Sequence, residues 1–99
     1  MALTYVFKAR ARREVERAAT WWSVNRLAAS GAVRKDIEDA LKVLVEQPGI
    51  GTQVETGRTP QVRRLLLDRT KYLMYYRVRG NVLEVLSLWH SSRERGPRV

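Results

Sequence analysis

The 99-residue chain, 44% apolar and 29% charged, is long enough for one hydrophobic core and too short for two, so it reads as a single domain over residues 1–99. It has no cysteine and a lone histidine, His90, which excludes disulfides, thiol nucleophiles and both thiolate and multi-histidine metal sites; no metal and no cofactor is expected. Nineteen basic against ten acidic residues give a net charge of +9, a field that favours nucleic acid, acidic lipid or an acidic protein without choosing among them.

The start of the chain lacks the basic stretch and unbroken apolar run of a secretory leader, and no run approaches the roughly 18–20 apolar residues that cross a bilayer. The expected setting is cytoplasmic, with no membrane partner. Charge is segregated along the chain, +4 over residues 1–30 and +7 over 58–99. Arginine outnumbers lysine 15 to 4, which suits forked recognition of phosphate or carboxylate and is equally the product of GC-rich codon usage.

Leu3-Thr4-Tyr5-Val6-Phe7 alternates as a short strand does. Helical spacing follows: Ala11, Val15, Ala18, Ala19 and Trp22 form a narrow apolar stripe, while Arg10, Arg13 and Arg17 share another face with Glu14 and Glu16 within one turn, as on a solvated, salt-bridged surface. Ser30-Gly31 interrupts the pattern. A second stripe of Val33, Ile37, Ala40, Leu41, Leu44 and Val45 ends at Gln47-Pro48-Gly49, so two helices should pack as a hairpin.

From Gln47 to Thr59 the sequence predicts a long loop with three glycines. Three strand-like runs come next, Val62–Leu67, Tyr72–Val78 and Val82–Trp89, the last two joined by Gly80-Asn81, a two-residue hairpin signal. That turn sets a register pairing Arg79 with Val82, Val78 with Leu83, Arg77 with Glu84, and Tyr76 with Val85. The same parity carried onward puts Leu65, Leu67, Tyr72, Met74, Tyr76, Val78, Leu83, Val85 and Trp89 on the face toward the helices. Arg64, Leu66, Leu73, Tyr75, Arg77, Arg79, Glu84, Leu86, Leu88 and His90 fall on the other face. Two short helices cover only one side of a sheet, so Leu66, Leu73, Leu86 and Leu88 are expected to form an uncovered apolar patch beside arginines. The predicted class is α+β, in the order β-α-α-β-β-β.

The order strand, helix pair and meander, with Trp21-Trp22 and Asn25-Arg26 on the first helix, resembles the ParE/RelE superfamily of bacterial toxins from toxin–antitoxin modules. So does the C-terminal text: Arg64-Leu65, then Tyr72-x-x-x-Tyr76-Arg77-Val78, then Val85-Leu86-Ser87-Leu88-Trp89-His90-x-x-Arg93. The resemblance spans nearly the whole chain. It implies a toxin silenced by a cognate antitoxin encoded beside it, and one of two lethal activities: ribosome-dependent members cut messenger RNA, whereas the ParE branch poisons DNA gyrase without a recognised catalytic constellation.

Cutting RNA at a 2′-hydroxyl requires a group to take that proton, a group to return one to the leaving 5′-oxygen, and cations for the developing phosphate charge. The RelE-type pattern has arginine directly after the tyrosine that opens the penultimate strand and a tyrosine or histidine near the C-terminus; here Tyr72 is followed by Leu73, and the chain ends in Val99. Arg93 does match a phosphate-contacting arginine of that branch, and His90 could supply the missing acid or base, since imidazole exchanges protons near neutrality. These departures favour the ParE-like reading, in which gyrase is bound; the RelE-like alternative, an endonuclease on the ribosome with His90 and Arg93 catalytic, stays open beside a basic binding domain with no toxicity. Each candidate also has a structural explanation: His90 as a packing residue closing a strand, one of Trp21 and Trp22 as core, Arg77 as the partner of Glu84. The residues expected to meet a target or the antitoxin are Arg64, Tyr75, Arg77, Arg79, Leu86, His90, Arg93 and Arg95, with the groove beside the helix hairpin as the other place for the antitoxin.

Overall fold

In the computed structural model, which describes residues 2–92 and Pro97, the chain runs β1 (Thr4–Phe7), α1 (Ala9–Asn25), α2 (Ala32–Leu44), β2 (Thr52–Val54), β3 (Val62–Leu66), β4 (Tyr72–Arg79) and β5 (Val82–His90). The strands form one five-stranded sheet in the order β1-β5-β4-β3-β2. β1 pairs parallel with β5, Thr4 opposite Val82 and Phe7 opposite Val85. All other neighbours are antiparallel.

Both helices lay their predicted stripes on this sheet. Ala11, Val15 and Ala18 of α1 and Val33, Ile37, Ala40, Leu41 and Leu44 of α2 are buried, and they share one core with Leu67, Met74, Tyr76, Leu83 and Val85; Trp22 is half-buried against it. The 3.6-residue spacing of these positions turns one side of each helix inward, which is why so short a pair covers the sheet.

The hairpin register is the one its turn dictates: Arg79↔Val82, Val78↔Leu83, Arg77↔Glu84 and Tyr76↔Val85. Gly80 takes φ 60°, the positive angle that a type II′ turn places at its first central residue. One residue further the alternation breaks. Tyr76 faces Val85 but Tyr75 faces Ser87, so Leu86 is a β-bulge, and every later residue of β5 changes sides. Leu88, expected in the uncovered patch, is 4% exposed within the core opposite Met74, and His90 lies opposite Tyr72. Trp89, expected on the helix side, lies opposite Leu73 on the outer side. Tyr75, also expected on an open face, is 2% exposed and stands at the register shift, opposite Ser87.

The predicted loop after α2 is partly ordered. A 3₁₀ turn at Pro48–Ile50 leads into β2, a three-residue edge strand whose Gln53 meets Arg63. The loop is pinned from inside: the Tyr76 hydroxyl donates to the Pro48 carbonyl at 2.5 Å and accepts the Gly51 N–H at 3.0 Å. Gly51 is required here, since a Cβ would stand 2.3 Å from that hydroxyl oxygen. Arg63 Nη1 donates to the Gly51 carbonyl at 2.8 Å.

Candidate functional site

The sheet presents two surfaces with functional character. On the outer face, Arg64 and Arg79 are exposed, Leu66 is 42% exposed, and Leu73 and Leu86 are half-buried. Arg77 is engaged internally: its Nε donates to Glu84 Oε1 at 2.7 Å, with Lys8 4.0 Å from the other oxygen. The hydrogen bond from Arg77, opposed by desolvation, holds the Glu84 carboxyl below its ordinary range. Of the predicted contact residues, then, Arg64 and Arg79 are exposed on this face and form no salt bridge among the described residues, Leu86 marks the bulge, and Tyr75 and Arg77 support the face from within. Arg93 and Arg95 lie outside the described residues.

His90 belongs to a second surface, a groove of about 670 Å³ between the second half of α1, the β3–β4 turn and the end of β5. The bulge brings it there by moving it to the helix side. Its ring meets Tyr72 edge-on, centroids 4.9 Å apart at 85°, and Nδ1 receives the Ser92 backbone N–H at 3.1 Å with Ser92 Oγ at 2.8 Å. A backbone N–H can only donate, so Nδ1 is the acceptor in that contact.

Across the groove stand Trp21, 48% exposed, and Trp22, their rings 6.0 Å apart and edge-on. The Arg26 guanidinium lies 5.6 Å above the Trp21 ring, a cation–π geometry. The third wall is the β3–β4 turn with Arg69 and Lys71. Asp36 of α2 fixes this turn through its Oδ2, which accepts both the backbone N–H and the hydroxyl of Thr70 at 2.8 Å. Thr70 is 1% exposed, and the Lys71 carbonyl accepts the Ser91 N–H at 2.9 Å. Lys71 itself adopts φ 65°, a left-handed conformation unusual for a lysine.

Glu14, predicted on a solvated face, is turned inward. β1 stops at Phe7, and beyond it Glu14 Oε1 accepts the Leu88 N–H at 3.1 Å and the Ser87 hydroxyl at 2.7 Å, satisfying an edge donor that no strand covers. Arg10 approaches its other oxygen at 3.6 Å. Glu16 pairs instead with Arg34 of α2 at 3.0 Å, tying the two helices. Neither the Asp36–Thr70 tie nor the cations Arg69 and Lys71 figured in the sequence reading, which named Arg26 only with Asn25 as part of the family resemblance; the signal available was a turn, Asp68-Arg69-Thr70-Lys71, with two cations in four residues. Among the described residues no three His, Asp or Glu side chains gather as metal ligands, and no helix is long and apolar enough to cross a membrane.

A family model described as the ParE toxin of the type II toxin–antitoxin system parDE matches residues 5–95. Toxin RelE1 of Caulobacter vibrioides is 27% identical over 95 residues, 96% of this chain and all of that protein. Among solved structures, the chromosomal ParDE system of P. aeruginosa superposes with a TM-score of 0.70 at 22% identity, covering 90% of this chain and 96% of that one. The intact E. coli RelBE toxin–antitoxin complex contains a chain that superposes at 0.67, also at 22% identity, covering 93% of this chain and all of that one. At that identity the two structures speak for the fold alone.

Proposed function

This chain belongs to the ParE toxin family of type II toxin–antitoxin systems, and on that premise we propose that it inhibits DNA gyrase by binding it and is held silent by a cognate antitoxin. The observation that carries this reading is the state of His90. It is the sole histidine of the chain, and its Nδ1 is taken up by the Ser92 backbone N–H at 3.1 Å, which leaves that nitrogen no lone pair with which to take a substrate proton. In sequence, Leu73 follows Tyr72 where the RelE-type pattern has arginine. A protein that acts by binding needs a charged, partly apolar surface instead, and the outer face supplies one in Arg64, Arg79, Leu66 and Leu86, extended in sequence by Arg93 and Arg95.

The second reading, an endonuclease on the ribosome, draws on the 27% identity with Toxin RelE1 and would need His90 and Arg93 as catalysts. The two separate in paired assays of the purified protein, gyrase cleavage-complex formation beside ribosome-dependent cleavage of messenger RNA. Gyrase poisoning is expected, with no RNA cleavage, and His90→Ala should weaken it less than tenfold. Loss of an acid–base catalyst costs roughly 10²–10⁴-fold, so RNA cleavage that vanishes in a folded His90→Ala protein would overturn the gyrase reading.

A further inference from the structure

We propose that a small cavity at the β2 edge of the sheet, beside the 3₁₀ turn, binds a phosphate monoester through Arg63, Gln53 and Gln61. The cavity shares no lining residue with the groove that holds His90 and is independent of gyrase as the target. The first observation is position. Gln53 of β2 stands opposite Arg63 of β3, and Arg63 stands opposite Tyr76 of β4. Tyr76 belongs to the core, so the three side chains form one row on the helix side of the sheet, with neighbouring Cβ atoms about 5 Å apart. Together with Gln61, and with Pro48 and Gly49 of the turn, they line a cavity of about 290 Å³.

The second observation is the state of Arg63. It is half-buried and pairs with no carboxylate among the described residues. Its hydrogen bonds there all come from Nη1, which donates to the Gly49 carbonyl at 3.3 Å and the Gly51 carbonyl at 2.8 Å. These neutral acceptors fix the guanidinium without cancelling its charge. Nε and Nη2, the side-on fork that takes two oxygens of an oxyanion, have no acceptor among the described residues. No Asp or Glu of the described residues lines the cavity, and Arg77, the other cation in its wall, is already bonded to Glu84. A half-buried charge without a counter-ion is one that an incoming anion stabilises.

The third observation is the pair of amides. Neither Gln53 nor Gln61 has a side-chain hydrogen bond among the described residues, and Gln61 holds a left-handed φ of 59°, where glycine or asparagine sits with less strain. Stability alone would choose otherwise, so the amide has a use outside the fold. Two amides and an open guanidinium fork present more N–H donors than the roughly four acceptor positions of a carboxylate can use, and the three terminal oxygens of a phosphate monoester use them better. A backbone phosphodiester has fewer such oxygens and would bring its flanking sugars into the same space. Pockets for whole cofactors run to about 300–1,000 Å³, so this one holds the phosphate and a small remainder.

The test is titration of the full chain with inorganic phosphate, followed by calorimetry and by the NMR resonance of the Arg63 Nε–H, with acetate and a thymidine oligonucleotide as the comparison ligands. Phosphate should saturate with a Kd of about 1 mM or tighter and shift that resonance. Gln53→Glu sets a carboxylate into the lining at an exposed position and should weaken phosphate binding at least tenfold without lowering the melting temperature. Gln61→Gly should weaken it several-fold and melt level with the wild type or higher. Arg12→Gln makes the same change in net charge as Gln53→Glu, on the exposed first half of α1, and should bind within twofold of the wild type. Phosphate that fails to saturate by about 10 mM, or that is weakened as much by Arg12→Gln as by Gln53→Glu, would reduce the effect to the general field of a +9 chain and overturn the site. Acetate binding as tightly as phosphate would overturn the choice of ligand. An oligonucleotide that displaces phosphate from Arg63 and is lost in Gln53→Glu would assign the cavity to a phosphodiester instead.

Discussion

Replacing Tyr76 by phenylalanine deletes one oxygen from the core and tests what holds the segment after α2. That oxygen makes two bonds, to the Pro48 carbonyl and from the Gly51 N–H, and both Tyr76 and Gly51 are buried. A buried N–H left without a partner costs about 1–3 kcal/mol, and the bond to the carbonyl contributes about 1 kcal/mol more. Arg63 still grips the Gly51 carbonyl, which keeps the turn from collapsing onto the vacancy, so we expect a loss of about 2–3 kcal/mol and a melting temperature lower by on the order of 10–20 °C. Burial, against the opposing effects of Gly51 and Arg63, raises the Tyr76 pKa above 10.0. The folded state therefore holds this proton more tightly than the unfolded state, and the resulting stability is complete below pH 10 and declines as pH rises beyond it. Thermal melts of both proteins between pH 7 and 11, with hydrogen exchange at the Gly51 amide, decide the matter. A drop under about 4 °C, or alkaline slopes that coincide, would refute the role assigned to the hydroxyl.

Leu41, 4% exposed in the middle of α2, should cost about 2–5 kcal/mol when cut to alanine, measured by urea denaturation; a change below 1 kcal/mol would place it outside the core. Arg77→Ala should remove an acid-sensitive contribution. Glu84 is held below its ordinary 4.5 by Arg77, so the pair stabilises the fold above that pH and its contribution disappears as pH falls through the lowered value. The wild type should lose more stability than the variant between pH 6 and 3, and parallel curves would show that the 2.7 Å contact carries no weight.

Local signals carried most of the fold. Gly80-Asn81 was sufficient to place eight residues of the hairpin, because a two-residue turn admits one register, and the helix stripes named the core residues of α1 and α2. The alternation rule failed at Leu86, since a bulge adds a residue without any mark in composition, and the error spread to Leu88, Trp89 and His90. β2 was missed for a related reason: Thr52-Gln53-Val54 has a single strongly apolar residue, and its order comes from pairing with β3 and from the buried Tyr76 hydroxyl. The groove was the hardest to read. Its cations and rings come from α1, the β3–β4 turn and the end of β5, segments that only the folded sheet brings together, and the tie that sets the turn joins Asp36 to a threonine 34 residues away.

The parallel contact of β1 with β5 joins residue 4 to residue 82, nearly the two ends of the chain. During synthesis, at about 5–20 residues per second, the first strand therefore waits several seconds for β5, its neighbour in the sheet among the described residues. Until β5 arrives, α1 lacks the strand it packs against most extensively and His90 is absent from the groove. A polypeptide cut short before that point can form neither the β1–β5 pairing nor the His90 side of the groove, so an interrupted translation product is an incomplete toxin by topology.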